Sequence, residues 1–435
     1  MIFQEVSWIR SNPTKFCPSL RKQALEWYRP FRFVPCFLQK YFKAVRQHFR
    51  KIPVIVQMQP SNELTTCINS AAKTSGCKIN RNLHSINAFS TKVNAKTLEK
   101  LVNDNSIKKI WNDGTVQAIL DVASPAVKAP SAWDTNITGK GIGVAVIDTG
   151  VYPHVDLSDR IKAFKDFVGN KTSPYDDNGH GTHVAGDIAS NGTLYKGTAP
   201  GANIIGVKVL NKLGSGSLST VIEGIQWCID NKDNLGIKVI NLSLGSSATE
   251  TYKEDPVCQS VENALTAGIV VCVAAGNEGP EPQTIASPGI DPFVITVGAI
   301  DDKNSLDFND YKVADFSSRG PTIDGLSKPE IVCPGTNIIS LRSPNSTIDK
   351  QNKSARVGTG YINLSGTSMA TPVCAGIAAL LLEVNNSLTP ALVKESLQMT
   401  ARPLSNINDD NIQGKGLVDV EQAMKYSTNL KMESP

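Results

Sequence analysis

Histidine is scarce in this chain, with five in 435 residues, at positions 48, 84, 154, 180 and 183. Any acid–base chemistry near neutral pH has to be built from that short set. No apolar run approaches the roughly 20 residues needed to cross a bilayer, and stretches such as Ala375 to Leu382 fall far short. The opening MIFQEVSWIR has no basic stretch leading into an apolar core, so no secretory signal is read and a soluble, cytoplasmic protein without a membrane partner is expected. Nine cysteines are an odd number, and several sit inside apolar runs such as Ile269-Val-Val-Cys-Val and Pro372-Val-Cys-Ala. Such positions suit buried thiols in a reducing compartment and argue against a disulfide framework. Neither sign of charge dominates, since 44 Lys+Arg face 40 Asp+Glu. The balance hides a split, however: residues 1–115 hold 19 Lys+Arg against 6 Asp+Glu, a net +13, while the rest hold 25 against 34, a net −9.

At 40% hydrophobic, with 33 Gly and 24 Pro, the composition is that of an ordinary globular protein of two or three domains. Residues 1–50 form a basic, aromatic extension, WYRPFRFVPCFLQKYFKAVRQHFR, whose prolines interrupt any long helix. No RNP, zinc-finger or helix-turn-helix pattern accompanies it, so nucleic acid is set aside as a partner in favour of an acidic protein surface. Residues 51–120 read as strand, helix, strand, helix, strand: Ile52 to Met58, Glu63 to Lys73, Asn82 to Val93, Ala95 to Val102 and Ile107 to Leu120. That order is a small α+β unit of the split-βαβ kind. Ser124-Pro-Ala-Val-Lys-Ala-Pro-Ser then punctuates the chain as a linker.

Over residues 125–428 short apolar runs alternate with helical patterns. The runs are Gly143 to Ile147, Ile204 to Leu210, Val239 to Leu244, Ile269 to Ala274 and Val294 to Val297. This rhythm predicts an α/β domain, a mainly parallel sheet covered by helices on both faces in three layers. Gly139-Lys-Gly-Ile-Gly looks like part of a dinucleotide fingerprint, but its glycines precede the strand instead of opening the following helix, so that cofactor is excluded.

Ligands of open parallel sheets bind beyond the carboxyl ends of the strands. Asp148 ends the first run and Asn277 closely follows another, while His180-Gly-Thr-His183 follows a turn and opens a helix. Two histidines three apart with no intervening Glu and no third ligand make a poor metal site. Ser368, in Leu364-Ser-Gly-Thr-Ser-Met-Ala-Thr-Pro, stands where Gly366 permits a tight turn, and Pro372 is expected in the first helical turn. A serine there reads as an N-cap when taken alone. Beside a histidine and a carboxylate it reads as a nucleophile, because a hydroxyl attacks a carbonyl only when a base removes its proton, and the resulting oxyanion needs fixed donors.

Asp148-Thr-Gly, His180-Gly-Thr-His-Val-Ala-Gly, Ala275-Gly-Asn and Gly366-Thr-Ser-Met-Ala-Thr-Pro together resemble the signature blocks of the subtilases, the subtilisin-like serine endopeptidases. The order Asp, His, Ser is that of subtilisin. The resemblance covers roughly residues 125–425, and it implies a subtilisin-like fold with Asp148 as orienter, His180 as general base and acid, Ser368 as nucleophile and Asn277 as oxyanion donor. It implies a structural role for His183. Extended peptide substrate would lie between Gly214-Ser215-Gly216 and Ser243-Leu244-Gly245, with Ala274, Ala275, Gly276 and Ala286 around the residue before the cleaved bond. Small residues there favour a bulky hydrophobic or aromatic side chain, and Glu278 would add attraction for a basic one.

The long basic N-terminal region and Asp176-Asp-Asn-Gly-His are similar to the AprX-type intracellular subtilases of Bacillus and its relatives. The family implies a propeptide, so residues 51–120 are expected to act as an intramolecular inhibitor and folding chaperone, cleaved near the end of Ile107 to Asp121. Opposite charge on the two parts suits such a pair. No cofactor is expected for the chemistry. Calcium stays open as a structural ion, although Ser190-Asn-Gly-Thr-Leu-Tyr-Lys-Gly is short and carries no carboxylate, unlike the calcium loop of many secreted relatives. The competing reading is a binding protein that keeps the fold without catalysis.

Overall fold

A computed structural model describes residues 6–31, 34–35, 37–60, 64–83, 87–112, 123–405 and 407–430. The chain divides into two compact units, residues 1–118 and 119–435.

In the first unit β1 (Ile52–Met58), β2 (Arg81–Leu83), β3 (Ala88–Val93) and β4 (Ile107–Asn112) form an antiparallel sheet in the order β2-β3-β1-β4. β1 alternates buried and half-buried residues, as an antiparallel strand with one face on a core must. The stretch expected as one strand from Asn82 to Val93 is a pair of strands, with residues 84–86 outside the described set. Asn87, at φ +53°, sits just before β3, a conformation that ends strand continuity. Helices Leu64–Ser75 and Ala95–Val102 accompany this sheet. Residues 6–28 share its core, because Trp8, Ile9, Phe16, Leu20 and Trp27 are buried in the same cluster as Val54, Val56, Leu98 and Ile110. Phe16 bridges Ile110 in parallel and so covers part of the β4 edge. Residues 113–122, which include the end of the expected last strand, lie outside the described set.

The second unit is built on an eight-stranded sheet of β5 (Gly143–Asp148), β6 (Ile161–Asp166), β7 (Asn203–Lys208), β8 (Ile237–Leu242), β9 (Val270–Ala274), β10 (Ile295–Asp301), β11 (Lys312–Val313) and β12 (Ile331–Pro334). Its order is β11-β10-β9-β8-β5-β7-β6, β12 also pairs with β10, and every pairing except β10 with β11 is parallel. β5 lies inside the sheet and all six of its residues are buried. Val144 and Val146 face one core with helices His180–Ala189 and Thr367–Val384, whereas Ala145 and Ile147 face another with helices Leu218–Asp230 and Pro256–Thr266. The architecture is therefore three-layered α/β. β13 (Ile338–Leu341), β14 (Arg356–Val357) and β15 (Tyr361–Leu364) make a separate small antiparallel sheet.

Helix Thr367–Val384 is, by length and composition, apolar enough to cross a membrane, which the short apolar stretches alone do not suggest. In the fold 83% of it is buried, so it is the hydrophobic-all-round helix expected at the centre of a large core.

Candidate active site

Asp148 ends β5 and is fully buried, so its carboxylate emerges at the carboxyl edge of the sheet. Opposite it, His180 is the first residue of its helix, preceded by Gly179 at φ +104°, where a Cβ would also meet Ser346 Oγ at 2.6 Å. His180 Nδ1 lies 2.8 and 2.9 Å from the two carboxylate oxygens of Asp148. That contact presents Nε2 on the far side of the ring. Burial alone would lower the pKa of His180, but the charge and hydrogen bond of Asp148, together with the charges of Asp176 and Asp187, outweigh it and leave the imidazole above its ordinary value. His183 is sealed in the core instead, with Nδ1 3.0 Å from Asp187 Oδ2 and Nε2 3.1 Å from the carbonyl of Ile338. Both nitrogens meet acceptors, and burial raises the pKa of Asp187.

Two further residues hold the Asp148 and His180 segments together, and sequence reasoning did not single them out. Asp176, which the sequence places in a turn and in the Asp176-Asp-Asn-Gly-His block without a role of its own, accepts bonds from Thr149 Oγ1, Asn178 N, Gly179 N, Thr182 N and Thr182 Oγ1 at 2.7–3.0 Å. Thr149 Oγ1 in turn accepts from Gly181 N at 2.9 Å. Burial still raises the pKa of Asp176, despite those donors. Lys208 is fully buried, with Nζ 2.5 Å from Thr149 O, 2.8 Å from Leu210 O and 2.8 Å from Asp177 Oδ1. The only signal in the sequence is a lysine closing an apolar strand, which ordinarily reads as a solvent-facing end.

Ser368 is the second residue of its helix. Pro372 does not lie in the first turn as expected but inside the helix, because the helix already begins at Thr367. A proline at that point cannot donate to the carbonyl four residues back, which is that of Ser368. Ser243 Oγ fills the vacancy at 2.9 Å, and Ser368 Oγ donates in return to Ser243 O at 3.2 Å. The Ser368 hydroxyl is thus turned toward Ser243; rotation about its Cα–Cβ bond would redirect it. Asn277 Oδ1 accepts from Thr367 N at 2.9 Å and from Thr367 Oγ1 at 3.1 Å, which leaves the amide nitrogen of Asn277 free to donate. Gly276 N bonds Thr367 Oγ1 at 3.2 Å, and Gly276, at φ +110°, has no room for a Cβ against Ser318 Oγ.

Two cavities meet at Leu244–Ser246. One, of about 790 Å³, is lined by Ala274, Gly276, Asn277, Glu278, Ala286 and Ser368 among others. The second, of about 610 Å³, is lined by His180, Gly214, Ser215, Gly216, Ser243, Leu244 and Gly245 among others. The expected substrate segments therefore do converge, with one exception. Ala275 lines neither cavity and is buried with Cys258, Ile285 and Ile290.

The sequence model of the subtilase family matches residues 139–416, which contain all of these groups. The chain belongs to the subtilase family. It is 48% identical to serine protease AprX of Bacillus subtilis over 437 aligned positions, covering 97% of this chain and 99% of that protein. It is 37% identical to subtilisin Savinase of Lederbergia lenta (69% of this chain, 96% of that one). Against subtilisin E of Bacillus subtilis the identity is 34%, over 80% of this chain and 83% of that one. This subtilase is a subtilisin-like serine endopeptidase, a class that needs no cofactor for its chemistry.

Calcium is a common structural ion in subtilases, and the Ser190–Gly197 loop of this one does not fit it. The carboxylate beside the loop, Asp156, is occupied by Tyr361 OH at 2.8 Å and Ser190 Oγ at 3.3 Å. No group of three or more His, Cys, Asp or Glu side chains suited to a metal occurs among the described residues.

Proposed function

We propose that this subtilase cleaves peptide bonds through Asp148, His180 and Ser368 by way of an acyl-enzyme. The grip of both Asp148 oxygens on His180 Nδ1 carries this reading, since it sets the tautomer whose Nε2 can take a proton from Ser368. Ser368 Oγ attacks the carbonyl carbon, His180 accepts the hydroxyl proton, and the oxyanion is met by the Asn277 amide and the Ser368 backbone N–H. His180 then delivers that proton to the departing amine. Water attacks the ester by the same route and frees the acid.

Substrate pairs in extended form with Gly214–Gly216 and Ser243–Gly245. The 790 Å³ cavity walled by Ala274, Gly276 and Ala286 accepts a large hydrophobic or aromatic side chain before the cleaved bond, and Glu278 on its wall tolerates a basic one. A peptide library cleaved only after acidic residues or glycine overturns this preference.

Residues 51–120, with the 1–50 segment, serve as an intramolecular inhibitor and folding chaperone that the peptidase part, residues 125–428, removes itself. The net +13 of residues 1–115 against −9 for the rest supports that pairing. Buried Cys228, Cys258, Cys272, Cys333 and Cys374 suit a reducing, cytoplasmic setting. Labelling with a fluorophosphonate, beside the Ser368→Ala protein, tests the chemistry. Labelling of the parent at Ser368 supports it, and equal labelling of the variant, or none of either, overturns it in favour of a binding protein. Terminal mass analysis tests self-processing, which is wrong if Ser368→Ala is trimmed like the parent.

A further inference from the structure

Helix Gln39–Phe49 is set into the N-terminal unit the opposite way round from an ordinary surface helix. Successive residues turn by about 100°, so Tyr41, Phe42, Val45 and Phe49 share one face and Gln39, Lys43, Arg46 and Gln47 another. The polar face is the half-buried one. Gln39 bonds the backbone of Phe31 and Val34 at 2.6–2.8 Å, and Arg46 bonds the carbonyl of Trp27 at 3.0 and 3.2 Å. The apolar face looks outward. Tyr41 is 67% and Phe49 73% exposed, Phe37 just before the helix is 81% exposed, and none of the eleven helical residues is buried. Lys40 and Lys51 stand exposed at the two ends, and Arg50 is ion-paired with Glu26 at 3.1 Å.

We propose that this face docks the protein on an anionic lipid bilayer as a peripheral, non-spanning contact. Shape, side-chain type and charge each favour that occupant. The face is a convex ridge carried by one helix, which a deformable bilayer accepts and which a protein partner can cover only with a groove. Its apolar members are mostly aromatic rings, the side chains that settle at the boundary between headgroups and acyl chains. The flanking cations Lys40 and Lys51 are attracted to acidic headgroups. A second copy of the chain would bring like charges together.

Sedimentation of the full Ser368→Ala chain, which keeps the N-terminal unit attached, with vesicles of phosphatidylglycerol and phosphatidylcholine tests this. Binding is expected at low salt, at least about tenfold weaker on pure phosphatidylcholine, and weakened at high salt. Tyr41→Asp with Phe49→Asp changes two exposed rings and is expected to weaken binding at least about tenfold at an unchanged melting temperature. Should that variant unfold, hydrogen exchange of the Ser368→Ala chain decides, with slowing expected in residues 37–51 when vesicles are added. Four results overturn the proposal: no preference for anionic vesicles, undiminished binding by a folded variant, vesicle protection confined to other segments, or a dimer that the variant dissolves. Salt-sensitive retention on DNA without vesicle binding also overturns it, in favour of nucleic acid.

Discussion

Replacing Thr367 with valine removes one hydroxyl and keeps the shape of the side chain. In the parent that hydroxyl donates to Asn277 Oδ1 at 3.1 Å and accepts from Gly276 N at 3.2 Å, while the Thr367 backbone N–H holds Asn277 Oδ1 independently at 2.9 Å. Asn277 is therefore expected to stay in place but with half of its anchor gone. One net hydrogen bond is worth about 0.5–1.5 kcal/mol, which corresponds to a roughly two- to tenfold fall in kcat if it acts wholly through the oxyanion donor. The ceiling is set by Asn277→Ala, for which about 10²–10³ in kcat is expected; subtilisin, a relative of this chain, is the reference case for that magnitude. The Gly276 N–H also loses its partner, which should lower the melting temperature, though by less than for a buried group because Gly276 is half-buried and lines the cavity. Steady-state kinetics on a chromogenic peptide with the two single variants and the double variant separates the effects. Because Thr367 is argued to act through Asn277, Thr367→Val should cost almost nothing in the Asn277→Ala background. Equal losses in both backgrounds, or a loss confined to KM, would refute the reasoning.

Three more outcomes follow from the same geometry. As the proposed base His180 acts only when neutral, and its pKa is raised, so kcat/KM should climb with pH through a midpoint above the ordinary histidine value of about 6.5. Asp148→Asn should lower both that midpoint and kcat, the latter by about 10⁴-fold as in related triads, and an unmoved midpoint contradicts the assignment. Lys208→Met strands the carbonyls of Thr149 and Leu210, so calorimetry should show a clear drop in melting temperature and kinetics a raised KM; an unchanged Tm shows that Lys208 is not the tie described. Iodoacetamide should leave Cys228, Cys258, Cys272, Cys333 and Cys374 unmodified in the native protein, since all are buried and burial raises the thiols of Cys228 and Cys258. All five should react in guanidinium without reductant, and a need for reductant would mean that they are oxidised.

The strands that carry Asp148 and precede Asn277 were legible because a parallel strand covered on both faces is a run of apolar residues that ends abruptly in a polar one. β6 was not legible, since Ile161–Asp166 mixes two lysines among its apolar residues without a regular period and is only partly buried. The signature serine and histidine were legible from their neighbours in the chain. Their supports were not: Ser243 lies 125 residues from Ser368, and Lys208 lies 59 from Thr149, so only folding brings the atoms together. Ala275, which the motif names between Ala274 and Gly276, lines neither cavity. The segment before residue 50 reads by composition as a basic extension, yet its tryptophans and aliphatic residues belong to the core of the unit that follows.

Pro372 separates two jobs that one helix performs. With the backbone bond from residue 372 to Ser368 missing, the turn bearing Ser368, the proposed nucleophile, is fastened sideways to Ser243, and the thirteen residues from Pro372 to Val384 serve as hydrophobic ballast. Substitutions that repack Ile377, Leu380 or Leu381 should therefore shift how hot the enzyme can run without shifting how fast it runs. For an engineer, that makes the rear of the helix a region where heat tolerance can be adjusted independently of turnover.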